Sequence, residues 1–146
     1  MNELPAIIRI SPHLCFDGQC REAIQLYQKV LGGTLQTMLT YGESPIASSI
    51  ESQWHDRVVY ATLVVGEIEL TGVDLLPGSY QRPQGFFVTL TVTGITRARE
   101  VFTVLSDGGA IKLPFEKTFW SPGFGVLNDR FGIPWEINTD GGQDVA

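Results

Sequence analysis

Apolar positions along the chain follow two rhythms, and each rhythm occurs twice in the same order. Ile8, Ile10, Leu14 and Phe16 recur at even spacing, as do Phe86, Val88, Leu90 and Val92, which is the period of a strand with one buried face. Pro12 interrupts the first run, so pairing there starts late or the strand bends. A helical stripe follows in each case: Ala23, Ile24, Tyr27, Val30 and Leu31, then Ala98, Val101, Phe102 and Leu105. Both stripes end in glycine, at Gly32-Gly33 and Gly108-Gly109, where a helix closes by turning left-handed. Three strand-like segments come next in each half: 34–41, 58–65 and 67–71, then 110–117, 124–128 and 133–138.

The halves also share spacing, since Leu14 to Gly18 and Gly32-Gly33 match Leu90 to Gly94 and Gly108-Gly109 at equal separation. The pattern predicts an α+β fold of two tandem βαβββ modules, their curled mixed sheets set around a ligand cavity. Module one covers about 6–74, a Pro/Gly-containing linker 75–84 and module two about 85–140, all within a single domain. Residues 44–54 read either as a mobile loop or short helix over the cavity mouth or as a plain surface insertion. Residues 141–146 read as a frayed tail.

Composition narrows the partners. A net charge of −6 without a basic cluster argues against nucleic acid. No apolar run approaches the roughly 20 residues that span a bilayer. The start, Met1 to Pro5, lacks a basic segment followed by an apolar core, so no signal peptide is expected. Cys15 and Cys20 are too few and too close to staple a fold; reduced thiols and a cytoplasmic location are expected.

Three motifs carry a resemblance. Gln19-Cys20-Arg21-Glu22-Ala23-Ile24 with Tyr27 and Val30 to Gly33, then Phe119 to Gly125, then Asp129 to Trp135, resemble the PhnB-like branch of the glyoxalase, bleomycin-resistance and dioxygenase superfamily, the vicinal oxygen chelate proteins. The branch shares a label with ubiquinone methyltransferases, but the chain lacks a Gly-rich strand-to-helix loop for a nucleotide-like cofactor.

The resemblance implies one divalent ion (Mn, Ni, Zn, Fe or Mg) held by His and Glu of the first and last strands, acting as a Lewis acid on a small oxygenated substrate. Glu69 and Glu136 are expected at corresponding places on the last strand of each half, and alternation turns both away from their apolar neighbours. They are the candidate catalytic carboxylates, one doubling as base. With His13 they form the expected ligand set, three groups and open positions. One alignment puts His13 at the ligand position and another Ser11; the matching place in module two falls on Phe87 or Phe86, which bind no metal.

Cys15, Tyr60, Phe87, Thr89 and Trp120 are the expected cavity-lining residues. Trp120 and Trp135 both read first as core packing, with a cavity wall the alternative for Phe119-Trp120; His55 is expected at the surface, while Arg57 either binds an anionic substrate or sits solvated at a strand edge. Two functions stay open: a metal-dependent isomerase, lyase or dioxygenase, and a metal-free protein that sequesters an apolar or aromatic compound. Either version is expected as a homodimer, because cavities in the superfamily are often completed by a partner and open sheet edges need cover.

Overall fold

The computed structural model describes residues 3–143; the N-terminal Met1-Asn2 and the last part of the expected tail lie outside them. Module one comprises β1 (His13–Phe16), α1 (Cys20–Leu31), β2 (Thr34–Thr40), β3 (Val58–Val65) and β4 (Ile68–Asp74). Module two repeats it as β5 (Val88–Val92), α2 (Ile95–Ser106), β6 (Ala110–Glu116), β7 (Phe124–Asn128) and β8 (Pro134–Thr139). Two four-stranded sheets result, in the orders β1-β4-β3-β2 and β5-β8-β7-β6, with one parallel pair each, β1 on β4 and β5 on β8. The first strand begins after Pro12, and the exposed segment before it holds Leu4, Ile7, Ile8 and Ile10 outside the sheet.

The repeated Gly-Gly does two jobs. Gly32 and Gly108 take the positive φ that ends each helix, at 78° and 76°. Gly33 and Gly109 pass against the next hairpin so closely that a Cβ would stand 2.3 Å from the Val64 carbonyl oxygen and 2.1 Å from that of Asn128.

Each helix covers one face of its own sheet, and both modules contribute to one continuous core. Tyr27 of α1 packs edge-on against Phe131 and Trp135 of module two, at ring separations of 6.3 and 5.2 Å, and its hydroxyl donates to the Asp129 carboxylate. Trp135 is fully buried, as expected. The modules therefore meet through helix α1 and the β7–β8 turn.

The expected enclosure does not form within one chain: the two sheets stay open, and their helix-free faces leave Tyr60 and Trp120 substantially exposed. Packing across α1 and the β7–β8 turn uses the helix-covered sides, which leaves the opposite faces without cover.

Candidate functional site

The register of the parallel pairs defines which site positions correspond. Leu75 N–H donates to Phe16 O and Asp140 N–H to Val92 O, the same bond in each module. Three residues back, His13 stands beside Thr71 and Thr89 beside Glu136. The pairs touch alike: His13 Nδ1 lies 2.7 Å from the Thr71 hydroxyl, and the Thr89 hydroxyl donates to Glu136 Oε1 at 2.8 Å.

Glu136 therefore corresponds to Thr71, and the expected correspondence of Glu69 with Glu136 is off by two residues. Each module has its own turn between the last two strands, a Gly66-centred hairpin in one and residues 129–133 in the other, so counting along the chain misplaces the last strand. In this register the counterpart of His13 on β5 is Thr89, two residues beyond Phe87.

Glu69 shares the open face with Thr71 two residues on, and is ion-paired to Arg9 at 2.7 Å. Cys15 is a half-buried free thiol beside Val73, and Tyr60 lies on the same face, its ring 6.4 Å from that of His13. A cavity of about 720 Å³ runs between the free edges of β1 and β5, lined by His13, Leu14, Phe86, Phe87 and Thr89 among others. His13 and Thr89 thus reach one space from the two modules. Phe87 lines it too and is half exposed.

The donor set fits a metal poorly. The four corresponding positions supply one imidazole, one carboxylate and two hydroxyls (Thr71 and Thr89), where a catalytic centre takes three or more His, Cys, Asp or Glu ligands. Among the described residues no three such groups are placed to hold an ion. Glu69, the third ligand of the sequence reading, is engaged by Arg9.

Module two's open face is aromatic and acidic. Phe124 stands opposite Glu116 on one side and Asn138 on the other, with Glu136 diagonal to it. The loop after β6 lays Trp120 against Phe124 at 5.3 Å, with Phe119 on Trp120 at 4.6 Å. Ser121 fixes that loop, its hydroxyl 2.5 Å from Asn138 Oδ1. Trp120 is half exposed and outside the core, and it is not among the residues that line the 720 Å³ cavity.

Several roles escaped the sequence reading. Asp74, 1% exposed, receives the N–H groups of Gly18, Cys20 and Val58, each at 2.9 Å, so a carboxylate already fills the start of α1 where a nucleotide phosphate would sit. His55 pins the 44–54 segment, its Nε2 within 3.0 Å of the Ala47 and Ile50 carbonyls. Arg57 is held by Asp17, by the Leu75 carbonyl and over the Trp54 ring, as part of the framework. Cys20 is fully buried, and burial together with Asp74 pushes its thiol up to about 12.

The two tandem βαβββ modules give the chain a glyoxalase-like α+β fold. Its fold matches a glyoxylase/bleomycin resistance protein/dioxygenase domain from Frankia with a TM-score of 0.62 at 14% identity, over 94% of this chain and 98% of that one. The chain belongs to the family described as 3-demethylubiquinone-9 3-methyltransferase, whose model matches residues 8–138. It is 38% identical to protein PA1353 of Pseudomonas aeruginosa, with a TM-score of 0.85 over 94% of this chain and all of that one. Protein YjdN of Escherichia coli K12 is 31% identical over 138 residues, covering 89% of this chain and 94% of that protein.

Proposed function

We propose that this protein binds a small organic molecule without a resident metal, as a homodimer whose partner covers the open sheet faces. The observation that carries the reading is the make-up of the four corresponding positions: His13, Thr71, Thr89 and Glu136 form two hydrogen-bonded pairs suited to orienting polar ligand groups. Tyr60 lies beside His13, Phe87 lines the cavity that His13 and Thr89 reach, and Phe124, with Trp120 on it, stands diagonal to Glu136, so apolar surface adjoins each pair. The exposed apolar side chains of these faces support closure by a second copy, since an uncovered patch of this kind marks a contact surface. No helix among the described residues is long and apolar enough to cross a membrane.

Metal-dependent lyase, isomerase or dioxygenase chemistry is the competing reading. It needs His13, Glu69 and Glu136 to converge, and therefore needs Glu69 to leave Arg9.

Light scattering after size exclusion, combined with a thermal-shift screen of neutral aromatic compounds with and without EDTA, tests the proposal. A dimer of twice 16.1 kDa and stabilisation indifferent to the chelator are expected. A monomer, or stabilisation that requires added metal, contradicts it.

A further inference from the structure

Resting on that reading, we infer that the open face of module two selects an organic cation, an alkylammonium group in particular. Phe124 and Trp120 form an aromatic surface with rings 5.3 Å apart, and carboxylates flank it on both sides. Glu116 lies directly across from Phe124 on β6, and Glu136 diagonally on β8. These four side chains share a face: Phe115 and Gly125, their chain neighbours, are turned to α2, where a Cβ on Gly125 would strike Phe102.

Neither carboxylate has a cationic partner among the described residues, whereas Glu69 on the other module is matched by Arg9. Glu136 accepts a single hydrogen bond, from Thr89, which holds one oxygen and leaves the other open. In the open face water solvates these groups. Once a second copy covers the face, an ionised carboxylate loses that water, a penalty that a cation beside it offsets. A ligand ammonium supplies the cation, and the ring faces of Trp120 and Phe124 attract the same charge through their quadrupoles.

The wall is also preorganised. Ser121 ties the Trp120 loop to Asn138 at 2.5 Å, and Asn138 reaches Thr91 on β5 at 3.4 Å, so the aromatic pair and the carboxylates belong to one braced surface. Lys117 lines, together with Trp120, a depression of about 510 Å³ that includes neither Phe124 nor the two carboxylates.

Calorimetric titration of the full chain with choline, and with its neutral isostere 3,3-dimethylbutan-1-ol, separates charge from shape. Choline is expected to bind roughly tenfold or more tightly than the alcohol, and Glu136→Gln and Trp120→Ala are each expected to remove most of that preference. Both residues are solvent-facing, so circular dichroism should show an unchanged fold. Glu116→Gln, outside the four binding positions, should weaken the same preference while uptake of the neutral fluorophore N-phenyl-1-naphthylamine persists. Equal affinity for choline and the alcohol, or a preference untouched by both substitutions, overturns the inference. Uptake of the fluorophore without any choline binding also overturns it, while leaving the proposed function standing. Failure of both probes removes the two together.

Discussion

Asp129 is the group on which the joint between modules depends, and its loss can be worked through atom by atom. The carboxylate is 2% exposed and receives four donors. Phe131 N–H and Ile133 N–H reach Oδ1 at 2.9 Å each, while Trp135 Nε1 at 2.9 Å and the Tyr27 hydroxyl reach Oδ2. Asp129→Ala strands all four in a site closed to water. Each stranded donor costs about 1–3 kcal/mol in isolation, and partial relaxation brings the expected total to about 3–5 kcal/mol. Tyr27→Phe removes one donor, keeps the ring packed on Trp135, and leaves the carboxylate three partners; it should cost about 1–2 kcal/mol. Urea unfolding followed by circular dichroism reads both, and at about 3 °C per kcal/mol for a chain of this size the alanine variant should melt about 10–15 °C lower. Asp129→Ala costing under about 1 kcal/mol, or no more than Tyr27→Phe, would refute the reasoning, because it would mean that the carboxylate does not organise the joint.

Burial, joined by Asp129, raises the Tyr27 hydroxyl well above its ordinary range, and burial with Asp74 raises the Cys20 thiol from 9.0 to about 12. The folded chain thus keeps protons that the unfolded chain releases, so stability should fall as pH climbs above 9.0, by up to about 1.4 kcal/mol per unit from each group, and Cys20→Ala should flatten that fall between pH 9.0 and about 12. A thiol reagent at pH 8 should label Cys15 in the folded protein and leave Cys20 intact until denaturant is added; equal rates would contradict the burial. Asp74→Ala orphans three backbone N–H groups and should cost about 2–4 kcal/mol in chemical unfolding; a neutral effect would mean water replaces the carboxylate. His55→Ala should release the 44–54 segment and speed its cleavage by a protease at low enzyme ratio, with the rest of the chain intact; unchanged cleavage would show that the imidazole does not tether it.

Much of the fold was legible because helix and strand periods differ and both repeated. The stripe Ala23 to Leu31 fixed α1, and the segment 124–128 came out at its observed bounds as β7. The first strand was read too long, because Ile8 and Ile10 keep the alternation of a strand while lying outside the sheet; periodicity reports which residues are apolar, not which find a partner. The site was harder for a related reason. Glu69 and Glu136 look alike in local sequence, Ile-Glu-Leu and Trp-Glu-Ile, but hydrogen-bond register, set by turns of unequal design, decides which residue faces His13 or Thr89. Trp120 and Trp135 were equally ambiguous as aromatics, and only the Asp129 acceptor for the Trp135 indole sorts core from wall. Long-range carboxylate contacts such as Asp74 to Val58 or Asp129 to Tyr27 leave no local pattern at all.

Whether the site works without a metal is the claim that most of the functional account rests on. Calorimetric titration of chelator-stripped protein with Mn, Ni, Zn and Fe(II) tests it directly. Two hydrogen-bonded pairs in place of a ligand set predict no stoichiometric site for any of these ions and undiminished uptake of N-phenyl-1-naphthylamine in EDTA. One ion bound per chain at micromolar affinity or better, lost on Glu136→Gln, would contradict it.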